Sequence, residues 1–146
     1  MRKYLSLAIC AAVPAALLIA SFAPELISGS APGEIGLSGA TRPGPAHLLG
    51  TDCLGRDLLS RTLAGARISI LIGIASRAAS MALGAAFGLA AGMSGPMLRR
   101  ALDGVIEVFL SIPSLLLALA LAMVLGEGYL TIVIAIAAGM WAPVAR

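Results

Sequence analysis

Gly84-Ala-Ala-Phe-Gly88-Leu-Ala-Ala-Gly92 sets two GxxxG spacings end to end inside an apolar run from about Ile68 to Met93. Followed toward the N-terminus, the same four-residue step passes through Ser80 and Ser76. Small residues at this period form one ridge along a helix face. In lipid no hydrophobic force draws helices together, so close backbone approach across small residues must supply the packing. The stretch predicts a membrane helix with a partner along its inner half. Ser76, Ser80, Gly84, Gly88 and Gly92 are its candidate packing residues.

Composition supports a bilayer environment. Of the 146 residues 60% are hydrophobic and 12% charged, against about 25% charged in a typical soluble domain. Mean hydropathy is +1.01. Aromatic residues make up 4%, too few for the aromatic girdles of a membrane barrel. The net charge of +3 is scattered and forms no basic stripe, so no nucleic-acid partner is expected.

Outward from the ridge, further spans are expected near 104–125 and 130–146, the first containing Pro113. A leading span covers Leu5 to Ala23, after Arg2 and Lys3. It is too long for the core of a signal peptide, and its best cleavage site, Ser21-Phe22-Ala23, runs into Pro24. Ile9 is too bulky for a lipoprotein box ending at Cys10. The reading is an uncleaved helix, bent at Pro14. Arg2, Lys3, Arg99, Arg100 and Arg146 fall on one side of such an arrangement, which places both termini inside.

Arg77 interrupts the second span. An arginine near mid-bilayer costs about 2.5–3.5 kcal/mol on insertion scales. It either lines a translocation path or snorkels to the outer headgroups.

Between the first two spans, residues 24–45 are rich in Pro, Gly and Ser and read as an irregular external linker. Then comes His47-Leu-Leu-Gly-Thr-Asp-Cys-Leu-Gly-Arg-Asp-Leu-Leu-Ser-Arg61, the densest polar block of the chain. Gly50-Thr51-Asp52 offers a turn, with Thr51 or Asp52 as helix cap. From about Asp57 to Arg67 an amphipathic helix is expected, lying in the headgroup layer or, as the alternative, contacting substrate. Leu58, Leu59, Leu63 and Ala66 lie on its apolar face; Asp57, Ser60, Arg61 and Arg67 lie on the other. Asp57 and Arg61 are spaced for an i,i+4 ion pair.

Catalytic chemistry is not visible. There is no GxxxxGK[ST] loop and no HExxH. Cys10 and Cys53 have no partner at metal-ligand spacing and read as incidental. No cofactor is called for.

The block His47–Arg61, followed by Gly65-Ala-Arg67-Ile-Ser-Ile-Leu-Ile-Gly73, resembles the ABC-transporter permease family for dipeptides, oligopeptides and nickel, specifically its second permease subunit type. The likeness continues through Gly84–Gly92 and Ile112-Pro113-Ser-Leu-Leu-Leu-Ala118 into Trp141–Arg146. Gly50, Thr51, Asp52, Gly55, Arg56 and Asp57 match the family signature. The resemblance implies a sister permease, two cytoplasmic ATPase subunits and an external substrate-binding protein as partners, in a bacterial inner membrane. ATP hydrolysis would belong to the separate ATPase subunits.

Members of this family continue into a cytoplasmic coupling loop and two more spans. The chain as given stops before that position, so a fragment, a truncated reading frame or an incomplete gene product is expected. The sequence reading is an all-α, multi-pass membrane subunit with about four transmembrane helices. It is a partial ABC type-1 permease fold, N-in/C-in, with a leading helix (1–23), an external linker and signature turn (24–55) and part of a permease domain (56–146). The alternative is a non-transporting scaffold that binds other helices.

Overall fold

The computed structural model of the chain describes residues 12, 15–37 and 39–146. Helical residues 15–22 (α1) precede α2 (Pro24–Ser28), α3 (Leu58–Met93), α4 (Pro96–Ser111), α5 (Ser114–Leu125), α6 (Tyr129–Met140) and α7 (Ala142–Ala145). Among the described residues there is no strand, and one isolated antiparallel bridge joins Thr51 to Asp57. The fold is all-α, as expected. Most of the leading span expected over Leu5–Ala23, with Cys10, lies outside the described residues.

The two compact units divide at Ile70/Leu71. In the first, Pro24 opens α2 at a position where its missing N–H is harmless. Gly29 ends α2 in the left-handed region and donates its N–H to the Glu25 carbonyl. The described residues between 30 and 57 follow as irregular chain folded into turns. The expected linker is therefore irregular but not loose, since its backbone and side chains are bonded over long separations.

α3 corrects one expectation. No separate interfacial helix precedes the span: residues 58–93 form one continuous helix of 36 residues. At 1.5 Å per residue it is about 54 Å long, against a hydrocarbon core of about 30 Å. Arg61 and Arg67 interrupt the apolar pattern, but charge alone does not stop a helix that has no Pro and is capped only at its start.

A second correction concerns the segment expected as one span near 104–125. It is broken into α4 and α5, which meet at 87°. Pro113 supplies the cause. It lacks an N–H for the ladder, and it forces the preceding residue out of the helical region; Ile112 has φ −88° and ψ 125°. α6 has 12 residues, about 18 Å, and a separate short turn, α7, follows where one span over 130–146 was expected. Among the described residues α3 alone is an uninterrupted helix long and apolar enough to cross a membrane; counting the bent pair as one span gives two.

In the second unit α5 and α6 pack together, joined by a turn at Gly126–Gly128. Gly139 sits against Ser114, where an added Cβ would lie 3.1 Å from the Ser114 carbonyl oxygen. The buried centre is Ile106, Trp141 and Ala142, flanked by Phe87, Phe109, Leu110 and Ala145. The Trp141 ring centroid lies 4.6 Å from that of Phe87 and 5.0 Å from that of Phe109, tilted and edge-on respectively, the geometries aromatic pairs prefer.

Candidate functional site

The polar block folds into a hydrogen-bonded knot at the N-terminus of α3. Thr51, 5% exposed, bonds through one hydroxyl to three groups. Its Oγ1 accepts from the Thr41 N–H at 2.8 Å and donates to the Gly39 carbonyl at 2.6 Å. A hydroxyl has one proton. The 2.8 Å bond between the two threonine hydroxyls must therefore be donated by Thr41. The Thr51 N–H also reaches the Thr41 carbonyl at 3.2 Å.

Asp52 ties the next turn. Its Oδ1 accepts from the backbone N–H groups of Leu54 (2.9 Å) and Arg56 (3.0 Å), and its Oδ2 from Arg56 Nε at 2.8 Å and from Arg61 Nη1. Burial opposes ionisation of Asp52. The Arg56 N–H, the Arg56 guanidinium bond, the Leu54 N–H and the Arg56 charge outweigh it and hold the carboxyl at about 2.

Two glycines make these turns possible. Gly50 (φ +78°) and Gly55 (φ +74°) occupy the left-handed region that L side chains rarely adopt. Neither has room for a Cβ: at Gly50 it would strike the Thr41 carbonyl, and at Gly55 the Gly36 backbone.

Asp57 is the cap of α3. Its Oδ1 accepts the Ser60 N–H at 2.8 Å, the bond an N-cap carboxylate makes to the third helical residue. Thr51 and Asp52, expected as caps, act earlier in the chain. The expected Asp57–Arg61 pair is also absent: Arg61 bonds to Asp52 and Asp57 to His47. The reason is burial. A cap residue turns its side chain back over the helix end, and the Asp57 side chain is 1% exposed, away from the helix surface where i,i+4 pairs meet.

His47 Nδ1 lies 2.9 Å from Asp57 Oδ2. An ionised carboxylate only accepts, so Nδ1 carries the proton. Burial raises the tendency of Asp57 to be protonated. The Ser60 N–H, the His47 bond and charge, and the Leu59 N–H together lower its pKa below the ordinary carboxylate value. Ser60, fully buried, donates its hydroxyl to the Ser30 carbonyl at 2.8 Å. Asp57 and Ser60, expected on the outward polar face, are thus on the inward one. Glu34, His47, Thr51 and Asp57 border a cavity of about 210 Å³ beside the knot.

The small-residue ridge lies on the other half of α3. Ser76 and Ser80 are buried, and each hydroxyl donates to a carbonyl four residues back. Gly84 faces α7: a Cβ there would lie 2.5 Å from Val144 Cβ and 2.7 Å from the Trp141 carbonyl oxygen. At Gly88 it would lie 2.7 Å from the Ala145 carbonyl oxygen. Gly92 is exposed, with nothing within 4 Å. Arg77 is exposed on α3 and, among the described residues, makes no salt bridge. Among the described residues no group of three or more His, Cys, Asp or Glu is placed to hold a metal ion.

Residues 84–146 match the family model described as "binding-protein-dependent transport system inner membrane component". The chain is 51% identical over 94 residues to the Di/tripeptide transport system permease protein DppC of Pseudomonas aeruginosa, a match covering 62% of this chain and 30% of that protein. It is 35% identical over 104 residues to the Oligopeptide transport system permease protein OppC of Bacillus subtilis, covering 71% and 34%. The chain belongs to the dipeptide/oligopeptide ABC permease family. A third permease, the Probable D,D-dipeptide transport system permease protein DdpC of Escherichia coli, is 35% identical over 122 residues, covering 83% and 41%. The chain thus spans about a third of the length of the curated permeases it matches.

The family match begins at Gly84, the ridge residue pressed on α7, and includes the Trp141 core. The sequence points to Asp52 and Asp57 in the knot but not to the partners Ser30, Thr41 and the ring of His47. Asp directly before Leu58-Leu59, with Ser60 three residues on, is the one signal that could have located the cap.

Proposed function

We propose that the chain is part of a membrane permease subunit of an ABC importer for small peptides. The observation that carries this reading is the 51% identity to a di/tripeptide permease. Other relatives are a dipeptide permease of Bacillus subtilis and a glutathione permease of Pectobacterium atrosepticum. Peptides are therefore preferred to nickel as the substrate class.

In this reading the chain works with a sister permease, two cytoplasmic ATPase subunits and an external substrate-binding protein. It crosses an inner membrane several times, with both termini inside and the knot outside. The 76–88 half of the ridge holds α3 against its own C-terminal helices, and Gly92 is left for a neighbouring helix. Arg77, exposed on a membrane helix where an unaccompanied charge is costly, is assigned to the water-filled path.

The test is uptake of a labelled dipeptide by vesicles containing the assembled complex, with and without this subunit. ATP-dependent uptake that needs the chain, and that weakens in Arg77→Leu with assembly intact, is the expected result. Co-purification with the sister permease but no uptake of any peptide would favour the scaffold reading.

A further inference from the structure

We propose that the cavity between Phe22, Glu25 and Arg67 is a seat for the headgroup of a zwitterionic amino-phospholipid of the phosphatidylethanolamine kind. The cavity has a volume of about 290 Å³ and is bordered by Phe22, Pro24, Glu25, Pro32, Arg67 and Ile68. It combines one guanidinium and one carboxylate with apolar walls. Among the described residues these two charges form no salt bridge, with each other or elsewhere. A headgroup that carries a phosphate and a primary ammonium supplies the opposite charge to each.

The setting of Arg67 suits it to phosphate. Its guanidinium carbon lies 4.7 Å from the centroid of the Phe22 ring. Such stacking uses the face of the guanidinium and leaves its in-plane N–H fork to bind an oxyanion. Its depth suits it to a lipid. Arg67 is the last charge before the apolar run of α3. From Ile68 to Met93 that run covers about 39 Å, more than a hydrocarbon core of about 30 Å. Arg67 therefore stays at headgroup level while the helix crosses. Phe22 likewise closes the apolar stretch of α1, directly before Pro24 and Glu25. Two apolar segments thus end at one cavity. Leu26 and Ile27, next along α2, are exposed and offer the acyl chains an apolar surface. The seat rests only on the membrane part of the reading above, that α3 crosses a bilayer; the peptide substrate does not enter it.

The experiment mixes the full chain in detergent with equal amounts of phosphatidylethanolamine and phosphatidylglycerol of matched acyl chains and reads the retained lipid by native mass spectrometry. A chain of net charge +3 would by charge alone favour the anionic lipid. The wild type should instead retain phosphatidylethanolamine about two- to fivefold over phosphatidylglycerol, the range that one partly exposed ion pair supplies. Glu25→Gln should erase this preference while lipid is still held through its phosphate. Arg67→Gln should lower retention of both lipids. Both positions are exposed, and the wild-type competition is decisive even if a variant fails to fold. Equal or reversed retention by the wild type, or a preference that survives in E25Q, overturns the seat. A dipeptide, also a zwitterion, should not displace the lipid; displacement would make the cavity a peptide site and overturn the proposal as well. A chain that shows the preference but supports no peptide uptake upholds the seat and counts only against the transport reading.

Discussion

Arg61 reaches back nine residues to Asp52, placing Nη1 on the same Oδ2 that Arg56 Nε binds at 2.8 Å. One carboxylate oxygen thus joins the signature turn to the second turn of α3, and both arginines are held in place by it.

Acid should undo this junction before it undoes the helices. The Asp52 carboxyl titrates at about 2 in the folded chain, below its ordinary 3.8. The folded turn binds fewer protons than the open one in that interval, so its stabilisation is complete above the ordinary value and falls as pH drops through the folded one. Exchange protection of the Leu54 and Arg56 amides should decline from about pH 4 to about pH 2, while far-UV helicity persists. Asp52→Asn should show weak protection at every pH.

Thr51→Val removes the hydroxyl that satisfies Thr41 and Gly39 while keeping the shape. Thr41 is exposed and Gly39 half-buried, so water can take up the freed groups and the loss should be about 0.5–1.5 kcal/mol. Thr51→Ser, which keeps the oxygen, should cost clearly less. Denaturant midpoints of the two variants in detergent will show whether the hydroxyl or the methyl matters.

Alanine at the three ridge glycines should give three different outcomes. Gly84→Ala meets Val144 and the Trp141 carbonyl, and Gly88→Ala meets the Ala145 carbonyl. Overpacking of this kind costs about 1–3 kcal/mol. Gly92→Ala meets nothing and should gain up to about 1 kcal/mol from helix propensity. Trp141 is the only tryptophan and is buried in the affected core, so its fluorescence on heating reports all three.

Pro113→Ala restores the missing amide. The 87° bend between α4 and α5 should open. Spin labels at the exposed positions Met97 and Met123 should then move apart, and an unchanged distance would assign the bend to packing instead of to proline.

What the sequence displayed and what it concealed divide along physical lines. A four-residue step maps directly onto one helix face; along it Ser80, Gly84 and Gly88 lie near Ala137, Val144 and Ala145, whereas Gly92 has nothing within 4 Å. The break at Ile112–Pro113 is written in the chain, yet one proline hardly lowers the apolar character of the stretch around it. The extent of α3 was misjudged for the opposite reason: Arg61 and Arg67 lower hydropathy without breaking helical geometry. The knot was the least legible part. Ser60 meets Ser30, and Asp57 meets His47, across irregular chain that has no period to read. Only the cap has a local sequence signal, and the spacing of Asp57 and Arg61 offered a more familiar pairing in its place.

Gly88 touches Ala145 through a backbone carbonyl, and this makes the contact one-sided. Every amino acid at position 145 brings the same carbonyl, whereas position 88 tolerates only the residue with no side chain. Drift in sequence should therefore be free at Ala145 as far as this contact is concerned and blocked at Gly88. In a saturation library the two faces of a single contact would carry opposite mutational histories, and a search for co-varying pairs would pass over it.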